Sequence, residues 1–451
     1  MGALQLAWLL STHALASGGG HGEDPGAADG SMVLLLTILG AIGSAYLLAH
    51  FLVDRLQRRW LFTSGAEYVL LGVLLGSSSG VLSDHSSLAP VLAFGTGWIG
   101  LLHGASLRLD KLRALPRWTL RLAGTDLVVV GGGVMLVGWA LLELWLGIPT
   151  REAILAAGVL GCAATSGSRS STELLLKRFP QLGPTSEGAE GSDASGAALP
   201  EGSVIALVEA SARLTQTLGI VAFGVLVCVF HPQMQGVETA PVASEWLLLM
   251  LGLGLALGGL FRLLVSSEST ENQRFMAMVG IICFSTGAAF FLDLSALTVN
   301  LVLGAVLVQG AEGPQLDRTL TSTLGPVVLL LLVLAGVVWT PVSPLQGGVL
   351  AVALLASRSL LKVAGGAIAA AGNPVRADIG RGALAQGPVA LCIALSYRLI
   401  FRGDAVDLVF TAILASVVVS EAIAPRLLKG LLVDAGELRQ DVAMQPHRTS
   451  A

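Results

Sequence analysis

The chain has 451 residues, of which 54% are hydrophobic and only 12% are charged, and its mean hydropathy is +0.78. A soluble domain carries about 25% charged residues, so this composition indicates an integral membrane protein. The net charge of −4 is small, and the absence of any lysine- and arginine-rich run argues against a nucleic-acid-binding protein.

The first 30 residues precede the first long apolar run. Leu4–Leu15 is a short apolar stretch followed by small residues, as in a signal peptide, although the usual basic residues are missing from its start. A retained N-terminal segment is the alternative. The glycine-rich stretch that follows is typical of a polar leader, so residues 1–30 are assigned to a signal-like segment and leader.

Thirteen apolar runs come next, most of them long enough to cross about 30 Å of hydrocarbon as a helix. Because they are apolar on all sides, only helices satisfy their backbone groups within lipid. The runs cover residues 32–53, 66–82, 88–107, 119–146, 151–178, 201–230, 244–264, 275–291, 294–310, 321–340, 345–371, 380–400 and 405–428. We predict an all-α integral membrane protein with a transmembrane domain at 31–430 and a cytoplasmic tail at 431–451.

The basic residues predict the orientation in the membrane. With the N-terminus outside, 19 of the 26 lysines and arginines fall in inside loops, three in outside loops and four within spans. This bias predicts a multi-pass protein of the cell inner (plasma) membrane with a cytoplasmic C-terminus. The stretch 180–200, rich in glycine, serine and glutamate, is then a cytoplasmic linker between the two halves of the transmembrane domain.

Two of the apolar runs are interrupted at their middles. Ala163–Ser168 and Ala385–Pro388 contain glycine, proline and small hydroxyl residues. Such breaks free backbone groups that lipid cannot solvate, so they are tolerated only where they face protein or a watery cavity. A matched pair in corresponding places of the two halves indicates the binding site of a secondary transporter.

Four stretches carry a family resemblance through their order and spacing. Glu67–Gly76 (EYVLLGVLLG) is similar to a GYLLAGILLG pattern, and Gly100–Arg113 (GLLHGASLRLDKLR) to a GLELDLRRLR stretch. Leu292–Leu297 with Gly304 resembles an LGLSAxxGAFLAG helix, and Ser420–Lys429 a closing helix. Together they resemble the monovalent cation:proton antiporters, which include sodium/proton exchangers and potassium-efflux systems, over roughly residues 31–430.

The resemblance implies an inverted-repeat bundle with two crossed broken helices, here 151–178 and 380–400. It further implies a separate helical panel that forms a homodimer, and transport by movement of the remaining core against that panel. The implied partners are monovalent ions, protons and the lipid bilayer. No cofactor and no metal cluster are expected, and the four cysteines are far apart in sequence.

The family's site uses carboxylates, because a dehydrated cation favours negative oxygens and a buried aspartate can exchange that cation for a proton. Where the family usually has Thr-Asp-Pro or Thr-Ser-Pro at the first break, this chain has Thr165-Ser166-Gly167. In the next helix, aligned on Glu209, Thr215-Gln216 replaces the usual Asn-Asp pair. By the resemblance, the predicted ion-binding residues are Thr165, Ser166, Glu209, Thr215, Gln216 and Gln386.

Four basic residues inside the spans are predicted to support the site: Arg169, Arg213, Arg358 and Lys362. Arg169 is either part of a structural ladder with Glu173 and Lys177 or a fixed cation that suits an anion. Arg358 and Lys362 are expected to pair with a carboxylate or with broken-helix carbonyls.

The acids inside the spans are few. Glu209 and Arg213, at i and i+4, are expected to neutralise one another, and Glu209 is also the candidate proton-carrying group. Asp126 and Glu421 can replace the family's missing acid only if the bundle brings them to the site.

The predicted function is proton-linked antiport of a monovalent ion by elevator-type alternating access, through a site without the family's aspartates. One alternative is a transporter of the same fold that is anion-selective or uncoupled. Another is a membrane scaffold or sensor that does not transport. An enzyme is not predicted, because no nucleophile–base pair or metal-ligand cluster converges in the sequence.

Overall fold

The computed structural model describes residues 65–78, 87–179, 182, 203–232, 241–264, 271–309, 313–372 and 375–438. The predicted leader, the run at 32–53, nearly all of the 180–200 linker and the end of the tail lie outside these residues.

The described residues form helices and no strand. The helices are α1 (Ala66–Ser78), α2 (Ala89–Ala105), α3 (Leu109–Ala114), α4 (Arg117–Trp145), α5 (Thr150–Thr165), α6 (Ser170–Arg178), α7 (Val204–Val229), α8 (Ala243–Leu264), α9 (Glu271–Phe291), α10 (Ala296–Leu307), α11 (Gly313–Val337), α12 (Pro344–Ala370), α13 (Pro388–Ile400) and α14 (Asp404–Asp434). A 3₁₀ helix, Ile379–Leu384, lies between α12 and α13.

Local sequence explains where several helices begin. Pro388 and Pro344 occupy the first position of α13 and α12, where the missing N–H costs nothing. Ser203 and Ser295 precede α7 and α10, and each hydroxyl accepts a hydrogen bond from a backbone N–H of the first turn.

The helices agree with the apolar runs of the sequence. Every predicted span within the described residues coincides with a helix or with a pair of helical segments, and α14 continues past residue 430 to Asp434. Among the described residues, six helices are long and apolar enough to cross a membrane, and four shorter ones are apolar. Large side chains such as Leu263 and Phe291 are more than 80% exposed, as lipid-facing residues are (85% and 84%). The chain is therefore an all-α, multi-pass membrane protein.

The helices pack in two groups. The first group, which we call the panel, contains α1, α2 and α8–α11. Within it, α2 packs against α10 and α1 packs against α11. The second group, called the core bundle, contains α4–α7, α12–α14 and the 3₁₀ helix. Both broken helices lie in the core bundle, and α7 and α13 carry most of its contacts with the panel.

Glycines allow very close backbone contact inside the panel. A Cβ atom on Gly104 of α2 would lie 2.1 Å from the carbonyl oxygen of Leu301 in α10. A Cβ atom on Gly304 of α10 would lie 2.3 Å from the carbonyl oxygen of Leu101. Small residues at helix interfaces are the usual means of tight packing within membranes, where the hydrophobic effect does not hold helices together.

This contact makes a testable prediction for stability. Because the obstructing atom belongs to the backbone, Gly104→Ala is expected to lower the free energy of unfolding by about 1–3 kcal/mol. The matched control is Gly252→Ala in α8, where no atom lies within 4 Å of the added methyl group. That substitution is expected to be neutral or to stabilise by up to about 1 kcal/mol. Thermal unfolding in detergent measures both, and equal effects would contradict the packing argument.

Candidate functional site

The two broken helices meet at their interruptions. The first break separates α5 from α6 at residues 166–169, and the second separates the 3₁₀ helix from α13 at residues 385–387. A Cβ atom on Gly387 would lie 3.1 Å from the carbonyl oxygen of Gly167 and 3.0 Å from Cβ of Ser168. The crossing predicted from the sequence is therefore present, and glycine at both breaks permits it.

The first break begins later than the sequence suggested. Residues 163–165, which were predicted to interrupt the run, are still helical. Thr165 Oγ1 donates to the carbonyl oxygen of Cys162 (2.8 Å) and Ser166 Oγ to that of Ala163 (2.7 Å). Ser166 then adopts an extended backbone conformation, and Arg169 immediately precedes α6.

The second break is held by Gln386, whose side chain is fully buried. Its Nε2 donates to the carbonyl oxygen of Ala163 in the first broken helix (3.1 Å). Its Oε1 accepts a hydrogen bond from Ser416 Oγ of α14 (2.6 Å). Gln386 thus joins the two breaks to each other and to a third helix. Pro388, which was predicted to lie in the break, begins α13.

Arg358 of α12 lies between the breaks and is only 1% exposed. Its guanidinium donates to four backbone carbonyls, two at each break: Ala164 (3.0 Å), Ser166 (3.2 Å), Leu384 (2.7 Å) and Ala385 (3.1 Å). Helices end in carbonyls without a helical donor and carry partial negative charge there. One arginine therefore satisfies the carbonyl ends of both half-helices and fixes their relative position.

Lys362 lies one turn further along α12 and is 3% exposed. Its Nζ donates to Asp126 Oδ2 of α4 at 2.6 Å and to the carbonyl oxygen of Thr165 at 3.1 Å. Asp126 begins a π-helical turn, Asp126–Gly131, a local widening that is frequent at functional sites. The bundle thus brings Asp126 to the first break through Lys362.

Gln216 and His103 form a polar contact between the core bundle and the panel. Gln216 Nε2 donates to the carbonyl oxygen of Gly167 (2.6 Å), and Gln216 Oε1 lies 3.1 Å from His103 Nε2. His103 Nδ1 lies 2.9 Å from the carbonyl oxygen of Ile99. Both ring nitrogens therefore lie within hydrogen-bonding distance of an oxygen, and the tautomer of the ring decides which nitrogen donates. His103 was not among the residues predicted from the sequence, although it lies in a stretch that carries the family resemblance.

Thr215 lines a cavity that reaches the first break. The cavity has a volume of about 20 Å³, which is room for about one water molecule. Its walls also include Asp126, Lys362, Gly167 and Ser168. Thr215 itself is 4% exposed, and its Oγ1 donates to the carbonyl oxygen of Ala212. The cavity therefore adjoins Gly167 and Ser168 of the first break.

Glu209 of α7 faces two arginines. Its Oε1 lies 2.6 Å from Arg213 Nη2, so these two residues pair as expected, and 3.6 Å from Arg169 Nη1. Arg169 therefore faces an acid of α7, whereas Glu173 and Lys177, its predicted ladder partners, are exposed on α6. Glu209 therefore offsets the positive charge of Arg169, which is the charge that an anion would have used.

Glu421 also lies at the first break. Its Oε2 accepts a hydrogen bond from Ser170 Oγ (2.6 Å), and Ser170 Oγ lies 2.5 Å from Ser168 Oγ. Both residues that the sequence named as replacements for the missing acid, Asp126 and Glu421, are thus brought to the crossing.

Outside the spans, an ionic cluster anchors the segment before the second break. Arg381 pairs with Asp434 at the end of α14 (3.0 Å) and with Asp378 (3.5 Å). Hydrogen bonds from Arg376 hold the pKa of the Asp378 carboxyl below its ordinary value.

No protein-family model matches the chain, and no curated protein matches it. Solved structures, however, are similar to it. The structure is similar to that of the sodium proton antiporter MjNhaP1 from Methanocaldococcus jannaschii at pH 8, with a TM-score of 0.60 and 12% identity, over 87% of this chain and 99% of that one. An electron-microscopy structure of the same antiporter gives a TM-score of 0.58 and 15% identity, over 90% and 99% of the two chains. The chain is therefore similar in fold to a sodium proton antiporter along nearly its whole length.

Proposed function

We propose that this protein is a secondary active transporter that exchanges a monovalent cation for protons across the membrane by elevator-type alternating access. The observation that carries the proposal is the meeting of two unwound segments within the core bundle, next to a cavity whose walls include Asp126, Lys362 and Thr215. Unwound backbone at the middle of a membrane protein is the usual place of an ion site in secondary transporters. The fold of MjNhaP1, a sodium proton antiporter, supports the same function.

The proposed ligands are neutral oxygens near the crossing. Thr165 and Ser166 offer hydroxyl oxygens at the first break, Thr215 offers one from the cavity wall, and Gln216 and Gln386 offer amide oxygens. A monovalent cation needs such oxygens to replace its hydration shell, as backbone carbonyls do in ion channels. Glu209, which faces two arginines, is proposed as a charge that attracts the cation.

The charges around the crossing support a cation more than an anion. Arg358 is occupied by four carbonyls and Lys362 by Asp126 and Thr165. Arg169 faces Glu209. The positive groups that an anion would use are therefore already engaged with oxygens of the protein.

We propose that the core bundle moves against the panel, and that two panels pair in a homodimer. The close glycine contacts with backbone atoms join helices within each group: Gly104 within the panel, and Gly380, whose Cβ would lie 2.2 Å from the carbonyl oxygen of Lys362, within the core bundle. Between the groups, the close contact of Gly224 is with the side chain of Thr298. Groups that are each tightly packed can move as rigid bodies. The proposed orientation, with the N-terminus outside, places the cavity at the cytoplasmic side.

Transport by purified protein in liposomes tests the function. With a pH-sensitive dye inside, adding sodium, potassium or lithium ions outside is expected to change the internal pH. Gln386→Leu removes one proposed ligand oxygen and two hydrogen bonds, so the rate is expected to fall about tenfold or more, the factor that 1.4 kcal/mol represents. Gln309→Leu is the matched control, because Gln309 is exposed and bonds to Leu107.

The other outcomes identify the alternatives. Anion flux that is lost in Arg169→Ala, without any cation-dependent pH change, would indicate an anion-selective transporter. If protein that is monodisperse and correctly inserted transports no ion in any gradient, the result would contradict transport and favour a scaffold or sensor.

A further inference from the structure

Glu421 is an acid in the middle of a membrane-spanning helix. It is the eighteenth residue of α14, which runs from Asp404 to Asp434. Ser416, which bonds to Gln386 at the second break, lies five residues earlier, about 7.5 Å along the helix axis. An ionisable residue at such a depth is costly and is by default a candidate for function. Pro425 also lacks the N–H that would bond to the Glu421 carbonyl in a regular helix.

Two serine hydroxyls connect this acid to the cavity. Ser170 donates to the Glu421 carboxylate, and Ser168 lies within hydrogen-bonding distance of Ser170. Because a hydroxyl has a single proton, Ser170 must then accept from Ser168. Ser168 lines the cavity, beside Gly167 of the first break. The chain of donors therefore runs from the cavity to an ionised carboxylate.

Protonation of the Glu421 carboxyl would reverse the direction of these hydrogen bonds. A protonated Glu421 can donate to Ser170, Ser170 can then donate to Ser168, and the Ser168 proton turns towards the cavity. With Glu421 ionised, Ser168 presents to the cavity the lone pair that the Ser170 N–H does not occupy, and this lone pair suits a cation. With Glu421 protonated, Ser168 presents a proton, which does not. The protonation state of the acid is thus transmitted to the cavity without any large movement.

The charges at the crossing also indicate that a proton on Glu421 and a bound cation exclude each other. Arg358 and Lys362 are balanced by Asp126 and Glu421, and Arg358 interacts electrostatically with both acids. A proton on Glu421, or a monovalent cation at the crossing, each adds one positive charge. Both together would leave two excess charges in a region with little water, so one replaces the other.

We propose that Glu421 is the proton-carrying acid of this transporter, and that the Ser170–Ser168 pair couples its proton to cation binding. This inference rests on the proposed function. In the exchange, the Glu421 O–H bond breaks and its proton leaves through the serines to water, while a cation enters from the cavity. One proton is exchanged for one cation.

The other charges on elements packed against α14 set the field in which this acid titrates. α12 contributes Arg358 and Lys362, α13 contributes Arg398, which pairs with Asp407, and the 3₁₀ helix contributes Arg381, which pairs with Asp434. The remaining charges are Arg151 and Glu152 on α5, Glu173, Lys177 and Arg178 on α6, Asp404, Arg426 and Lys429 on α14 itself, and Arg169 and Asp378 in the adjoining segments.

Glu421→Gln tests the proposal, because glutamine still accepts the Ser170 hydrogen bond but cannot exchange a proton. In liposomes, cation-driven pH change is expected to disappear. Exchange of labelled sodium or rubidium between the two sides is expected to slow, because glutamine lacks the negative charge that balances a bound cation, and the exchange that remains is expected to lose its pH dependence. Ser168→Ala is expected to weaken the pH dependence of exchange as well. The matched control, Glu173→Gln on the exposed face of α6, is expected to behave as the unchanged protein.

A second measurement does not depend on transport. Infrared difference spectroscopy of the detergent-solubilised protein, recorded as the pH is lowered, is expected to show a protonated carboxyl band that Glu421→Gln removes and Glu209→Gln retains. Loss of that band in Glu209→Gln alone, or proton coupling that persists in Glu421→Gln, would overturn the proposal. An unchanged protein that carries no ion but shows the band would contradict the proposed function and leave Glu421 as a proton-binding group.

Discussion

Replacing Arg358 with alanine is expected to destabilise the protein more than any other single substitution considered. The change removes donors from four carbonyls at two half-helix ends, within a part of the bundle where the arginine is 1% exposed. Each unsatisfied buried carbonyl costs about 1–3 kcal/mol, and some regain partners through water. We therefore expect a loss of about 3–5 kcal/mol, in the range that single substitutions rarely exceed.

Thermal unfolding in detergent, followed by the loss of monodisperse protein, measures this effect. Arg358→Lys is expected to recover part of the stability, because lysine keeps the charge but cannot reach four carbonyls with a planar fork. Arg108→Gln serves as the control, since Arg108 pairs with Asp110 at the surface, where ion pairs contribute about 1 kcal/mol or less. An Arg358→Ala protein as stable as Arg108→Gln would show that the half-helix ends do not need this side chain.

Replacing Lys362 with methionine is expected to have the second largest effect. The substitution leaves the Asp126 carboxylate buried without its ammonium partner, and removal of one member of a buried ion pair costs about 3–5 kcal/mol. The double variant Lys362→Met/Asp126→Asn removes both charges. Because the double variant leaves no buried charge without a partner at this position, it is expected to be more stable than Lys362→Met alone.

A double-mutant cycle with both single variants measures the coupling directly. We expect a coupling of more than about 1 kcal/mol between Lys362 and Asp126, whose charged atoms are 2.6 Å apart. The control cycle uses Arg376 and Asp378, an ion pair in an exposed loop, where coupling is expected to be much smaller. Additive effects at Lys362 and Asp126 would contradict the proposed pairing.

Local sequence predicted most of the fold. Apolar runs long enough to span a bilayer identified the helices, because lipid leaves the backbone no alternative to internal hydrogen bonds. Glycine, proline and small hydroxyls located both breaks to within about three residues. The start of the first break was misplaced, because Thr165 is still helical, with its hydroxyl bonded to a carbonyl of the preceding turn, and the helix ends only at Ser166.

The candidate site was predictable only in part. Gln386 and Gln216 were selected through the family resemblance and Arg358 as a basic residue within a span, and each contacts a break in the structure. His103 carried no signal by itself, because a single histidine in an apolar helix has many possible partners. It is recognisable only from its neighbour Gln216, which is 113 residues away in sequence.

The sequence by itself determined that this chain is a helical membrane protein with two interrupted spans and few internal charges, since hydropathy and helix-breaking residues act locally. Tertiary structure alone decided which oxygens each buried charge meets. Arg358 reaches carbonyls as far as 194 residues away, and Glu421 reaches a serine 251 residues away. Such pairs depend on how helices from the two halves cross. A charge without a partner is costly in lipid, but this cost selects a partner only after the helices have packed together.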